Sequence, residues 1–190
     1  MALDLASKIT DLMSAVVNQR HFSAKEVEPE KIDQLLESFR LGPSLANIQP
    51  WEVVVVTDQD LRKQLAETTL DPFCTPGTGG GQNWVERAPF LAVICLDRKR
   101  AETRMGGEWG FLNSVGDVYA ALQNMRLMAN CLGLRTAVVR EIDPGKLAET
   151  LHLPWTVHPL AMIAVGYSEE GLEYPPRFQV DDFVRWGKWS

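Results

Sequence analysis

The chain has 190 residues, 45% hydrophobic and 23% charged, with 25 acidic against 19 basic side chains and a net charge of -6. This is enough apolar content for a single domain over residues 1–190 with a sizeable core. An acidic balance with scattered Lys and Arg excludes a nucleic-acid backbone binder. Cys74, Cys95 and Cys131 are odd in number and far apart, and His21, His152 and His158 have no ligand spacing, so neither a disulfide framework nor a metal site is expected. No leader-like opening and no apolar run of membrane-spanning length is present, which points to a cytoplasmic protein.

Leu5, Ile9, Leu12, Met13, Val16 and Val17 recur with helical spacing and predict an amphipathic first helix that ends before Arg20 and buries one face. Glu28-Pro29-Glu30 opens a second helix with proline in its first turn. Ile32, Leu35, Leu36 and Phe39 form its buried stripe, and Gly42 stops it. The loop Pro43-Ser44-Leu45-Ala46-Asn47-Ile48-Gln49-Pro50-Trp51 follows, offering a hydroxyl, amides and backbone N–H groups just before the apolar run Val53 to Val56. Such a loop suits the edge of a polar planar ligand.

Val53 to Thr57 and Phe90 to Leu96 read as buried strands, with a helix around Leu61 and Leu65 between them. Thr75 to Gly81 is glycine-rich but lacks a following Gly-Lys-Ser/Thr, so it is read as a flexible surface loop and not a phosphate loop. Asn113 to Cys131 carries the longest helical pattern, through Val115, Val118, Leu122, Met125, Met128 and Ala129 to a stop at Gly133. Thr136 to Val139 and Leu160 to Val165 predict two more strands around a short helix from Asp143-Pro144 to near Leu151. The sum is an α+β domain with a four- or five-stranded sheet flanked by helices. Phe183, Trp186 and Trp189 in the tail are too much aromatic surface to stay in water, so the tail is expected to dock, on a partner or on the chain's own core.

The Pro43 to Trp51 string resembles the Pro-Ser-x-x-Asn-x-Gln-Pro-Trp loop of the nitroreductase family of FMN-dependent oxidoreductases. The similarity extends from Arg20-His21-Phe22 through Asp117 to Gly133 and on to Gly166-Tyr167 and Pro176-Arg177. The resemblance implies a mainly antiparallel sheet and an intertwined homodimer whose terminal segments embrace the partner. It also implies FMN between the subunits, NADH or NADPH as reductant, and a small planar acceptor such as a nitroaromatic or quinone. Related proteins use the same site for dehydrogenation, dehalogenation or flavin fragmentation. A silent member binding flavin or another anion as a sensor, carrier or scaffold is the alternative.

The resemblance places Arg20 as a cation for the reduced ring; a solvated helix-end arginine is the other reading. Asn18 is a candidate donor to ribityl or ring oxygens, and His21 a candidate contact for ribityl or phosphate. Ser44 and Asn47, with Pro43 before them, match positions reaching the flavin from the neighbouring subunit, although both residue types also cap turns. Val138, Arg140 and Glu141 match the segment over one flavin face, with a backbone N–H of Arg140 or Glu141 toward N5. The Arg140 side chain could instead pair with Glu141 or Asp143. Arg177 matches a late phosphate arginine.

Val16 and Val17 stand where the family's opening Arg-Arg-Ser-x-Arg-x-Phe motif has its first two basic residues, so the usual phosphate arginine is absent; Arg135, Arg126 or another arginine is a candidate for the missing charge, and the sequence does not choose among them. Gln123-Asn124-Met125 is assigned to core and dimer packing. Leu70 to Trp84 and Lys99 to Trp109 are expected covers of the acceptor site, with Trp84 and Trp109 as stacking residues.

Overall fold

The computed structural model of the chain describes residues 2–72 and 81–189. In chain order the helices are α1 (Ala2–Ser14), α2 (Pro29–Arg40), α3 (Gln59–Ala66), α4 (Arg98–Ala101), α5 (Gly107–Cys131), α6 (Pro144–Thr150) and α7 (Val180–Phe183). The strands are β1 (Trp51–Val56), β2 (Phe90–Asp97), β3 (Arg135–Val139) and β4 (Val157–Gly166), with 3-10 turns at Leu45–Asn47 and Asn83–Arg87. Most of the glycine-rich Thr75 to Gly81 stretch, and with it part of the expected Leu70 to Trp84 cover, falls outside the described residues.

The strands form one antiparallel sheet in the order β1-β2-β4-β3. β2 and β4 are central and buried on both faces, which explains their near-continuous apolar sequence. Successive side chains of a strand alternate between faces. Phe90, Ala92, Ile94 and Leu96 therefore meet α2 and α5 with Ile163 and Val165, while Leu91, Val93 and Cys95 meet α3 and α6 with Met162 and Ala164. Cys95 is fully enclosed, and burial pushes its thiol up to about 12.

α5 spans one face of the sheet. Its buried Val118, Leu122, Met125 and Ala129 follow the expected stripe, and the helix begins six residues before Asn113. Gly42 lets the chain leaving α2 press against α5: a Cβ there would lie 2.4 Å from the Ala121 Cβ. Gly133 adopts φ +73 just after α5, the left-handed cap that glycine takes without a Cβ penalty. A clasp ties the start of α2 to the end of β4. The Tyr167 hydroxyl donates to Glu28, Lys25 and Lys31 pair with the same carboxylate, and both ammonium groups lie over the Tyr167 ring. Tyr167, the Glu28 backbone and Lys25 together hold the Glu28 carboxyl down at about 2.

Two expectations need correction. The first helix ends at Ser14, so Val16 and Val17 leave the helical pattern and are buried in an extended segment beside β3. The apolar face of α1 is not buried within the chain: Leu3 is 88% exposed and Met13 55%. The tail likewise does not dock on the chain's own core, because Trp186 and Trp189 are nearly 90% exposed. A helix can be amphipathic without its own chain offering a matching surface.

Candidate active site

The site begins where the chain leaves α1. Gln19 N–H donates to the Thr136 carbonyl at 2.9 Å and Asn18 bridges Thr136, so residues 17–20 run extended beside edge strand β3. Extension imposes alternation: Val17 and Gln19 turn inward, whereas Asn18 and Arg20 face out. Asn18 Oδ1 accepts from Arg126 Nη2 at 2.9 Å and from Val138 N–H at 3.2 Å. Since both partners are donors, the oxygen is spoken for and the amide NH2 is what Asn18 presents to a ligand.

α5 supplies the opposite wall. Tyr119, Leu122, Gln123 and Arg126 stand at i, i+3, i+4 and i+7 and so share one helical face. With Asn18, Arg20, Pro72, Gln82, Val138, Arg140 and Glu141 they line a cleft of about 440 Å³. Glu141 accepts from Gln82 Nε2 and from the Arg140 N–H, each at 3.4 Å, and the Leu70 N–H holds its carbonyl at 2.9 Å. Arg140 itself makes no ion pair with Glu141 or Asp143 among the described residues. Burial pushes the Tyr119 phenol up from its ordinary value.

A second cleft of about 890 Å³ shares Asn18, Arg20 and Arg126 with the first, so the two are ends of one groove. Its walls add Val16, Val17, His21 and the segment from Glu170 to Arg177. Arg20, Arg126 and Arg177 line this cleft together with Glu170 and Glu173. Glu170 is engaged by His21 Nδ1 at 2.9 Å and by Gln19 Nε2 at 3.0 Å. The Arg20 guanidinium lies 6.0 Å from the Trp84 ring centroid, a cation-π contact, and Trp84 packs in turn on Phe22. Trp84 is thus half-buried as the floor beneath Arg20, and it lines neither cleft.

The structure therefore brings together Asn18, Arg20, His21, Val138, Arg140, Glu141 and Arg177 along one groove. It does not bring Pro43, Ser44 or Asn47 there. Their loop is held elsewhere by Asp117, which accepts from Leu45 N–H, and by Ser44 Oγ, which accepts from Gln49 N–H at 3.0 Å. Ala46, Asn47 and Gln49 all have φ between 47 and 56, unusual for residues other than glycine. Three such residues in four positions indicate a loop shape held by its surroundings. Trp109 projects from the first turn of α5, 70% exposed and outside the groove.

Sequence reasoning missed Gln82 and Tyr119 as groove residues and assigned Gln123 to packing, although it is exposed in the groove. The available signal was the i, i+4, i+7 spacing that puts Tyr119, Gln123 and Arg126 on one face of α5. Of the two arginines named for the missing charge, Arg126 lies in the groove. Arg135 points its Nη1 to Asn130 Oδ1 at 3.1 Å and lines neither cleft.

Among known proteins, the chain is 28% identical over 171 residues to an FMN reductase [NAD(P)H] of Bacillus subtilis, covering 83% of this chain and 65% of that protein. A putative NADH dehydrogenase/NAD(P)H nitroreductase of Archaeoglobus fulgidus is 26% identical, covering 86% and 85%. The fold superposes on a nitroreductase family protein of Streptococcus pneumoniae with TM-score 0.81 at 22% identity, covering 93% of this chain and 98% of that one. It superposes on the NADPH:FMN oxidoreductase of Vibrio harveyi with TM-score 0.82 at 22% identity, covering 95% and 77%. The family match opens at Asn18 and closes at Tyr167, leaving Val16, Val17 and Arg177 outside it. With residues 18–167 matched to the nitroreductase family, and that fold built around the groove, the chain belongs to the nitroreductase family.

Proposed function

We propose that the chain is an FMN-dependent oxidoreductase that takes electrons from NADH or NADPH and passes them to a small planar acceptor, a nitroaromatic or a quinone, as a homodimer. The observation that carries this reading is the groove in which Asn18, Arg20, Val138, Arg140 and Glu141 meet at one end and Arg177 at the other. Its donor set fits FMN: a neutral amide, backbone N–H groups and a guanidinium at the narrower end for a polar ring, and arginines toward the wider end for a phosphate. FMN, when bound, supplies the two-electron carrier between nicotinamide and acceptor.

The chain's own groups do the rest. Asn18, locked by Arg126 and Val138, presents its amide as a fixed donor. Arg20, seated over Trp84, would offer the bound FMN a fixed positive charge favouring its reduced form, a task for which a guanidinium that never deprotonates is suited. The Arg140 N–H, just past the end of β3 at the ring end of the groove, makes only a long 3.4 Å contact to Glu141 among the described residues and is the backbone donor a ligand there would meet. The exposed face of α1, the exposed tail and the Ser44–Asn47 loop lying outside the groove support a second copy completing the site, with that loop and Trp109 offered to the partner's groove.

The test is the visible spectrum of the protein with added FMN, before and after anaerobic NADH or NADPH. Retained FMN that bleaches is expected. Retained FMN that never bleaches would point to the silent flavin binder, and no retention would overturn the cofactor assignment. Arg20→Ala is expected to lower the flavin potential and slow bleaching by NAD(P)H, and an unchanged potential would remove Arg20 from that role.

A further inference from the structure

We infer that Arg126, on the long helix α5, supplies the phosphate charge that Val16 and Val17 no longer provide, so that the anchor has moved from the chain entering the sheet to the helix across the groove. This rests on the FMN reading above. Val16 and Val17 line the wider cleft but are buried and apolar, so that wall offers a phosphate no charged side chain. Arg177 reaches the same cleft from an exposed segment, and a dianion held by one exposed arginine is weakly held.

Arg126 is the groove guanidinium that is partly withdrawn from water, held in place by neutral groups and left without a carboxylate partner among the described residues. It is half-buried, and burial pulls it down from its ordinary value. No carboxylate of the described residues pairs with it. The contrast with Arg100 is direct, since Arg100 is met by both Glu52 and Asp97. Arg126 Nε donates to Thr136 Oγ1 at 3.4 Å and Nη2 to Asn18 Oδ1 at 2.9 Å, neutral partners that orient the fork without neutralising it. Nη1 has no acceptor among the described residues. A cation withdrawn from water without a counterion is costly, and an arriving phosphate removes that cost while gaining paired, charge-assisted hydrogen bonds from a fork already aimed. Glu170 and Glu173 oppose the phosphate from the tail side of the cleft, and Glu170 is partly offset by His21 and Gln19.

The experiment titrates FMN and riboflavin, which lacks the phosphate, into the wild-type protein and into Arg126→Leu, following quenching of flavin fluorescence. Arg126→Leu is expected to weaken FMN roughly 10- to 100-fold while riboflavin changes less than about twofold. Equal weakening of both flavins would make Arg126 a positioning residue for Asn18 and overturn the inference, as would unchanged FMN affinity. Should the leucine variant fail to fold, Arg126→Gln keeps a donor for Asn18 without the charge and must show the same FMN-selective loss. A wild-type protein that binds neither flavin overturns the cofactor reading and the inference with it, whereas flavin binding indifferent to Arg126 overturns the inference alone.

Discussion

The central strands and the chain ends obey opposite rules. Every residue from Phe90 to Leu96 is fully buried, and β4 is buried on both faces from Ala161 to Val165. α1 and the tail leave Leu3, Met13, Phe178, Phe183, Trp186 and Trp189 in water. One chain therefore buries its central strands and leaves its termini exposed. Exposed apolar area of this kind is what the proposed second copy would cover. The groove lies between these regimes, with one wall on β3 and α5 and the other on the segment that leads into the tail.

The contrast can be broken at either side. Leu91→Ala, which empties space under α3 and α6, is expected to cost about 2–5 kcal/mol in denaturant unfolding. A loss below 1 kcal/mol would mean the sheet is less tightly packed than its burial implies. The double substitution Phe183→Ser with Trp186→Ser is expected to leave folding intact by circular dichroism and to raise the dissociation constant of self-association at least about tenfold, given the apolar area removed. Unchanged sedimentation would show that the tail packs on no partner.

The smallest effect is at the surface clasp. Glu28 has its carboxyl lowered from 4.5 to about 2, so its contribution to stability is present above pH 4.5 and is lost as pH falls toward 2. The Tm difference between the wild type and Glu28→Gln should shrink across that window, and a difference constant with pH would sink the assignment.

Most of the secondary structure was legible because its signals are local. Pro29 opens α2, Gly42 and Gly133 close α2 and α5, and the β-branched runs become β1 and the central strands. α1 misled by one turn, since Val16 and Val17 continue its period while in fact turning to bury beside β3. The site was legible in part. Asn18, Arg20 and Arg177 were named through motif position and line the groove, whereas Gln82 has no local mark that separates a groove residue from an ordinary polar one.

The amino-acid sequence by itself determined the α+β class, the order of the four strands and the five longer helices, and the family, because periodicity, caps and a nine-residue motif are properties of neighbours along the chain. Only the tertiary structure decided that Arg126, 108 residues from Asn18, meets it across the groove, and that the apolar ends find no cover on their own chain. Which distant residues meet, and which faces go unmet, depends on how the sheet and α5 pack, and that is written in no single segment.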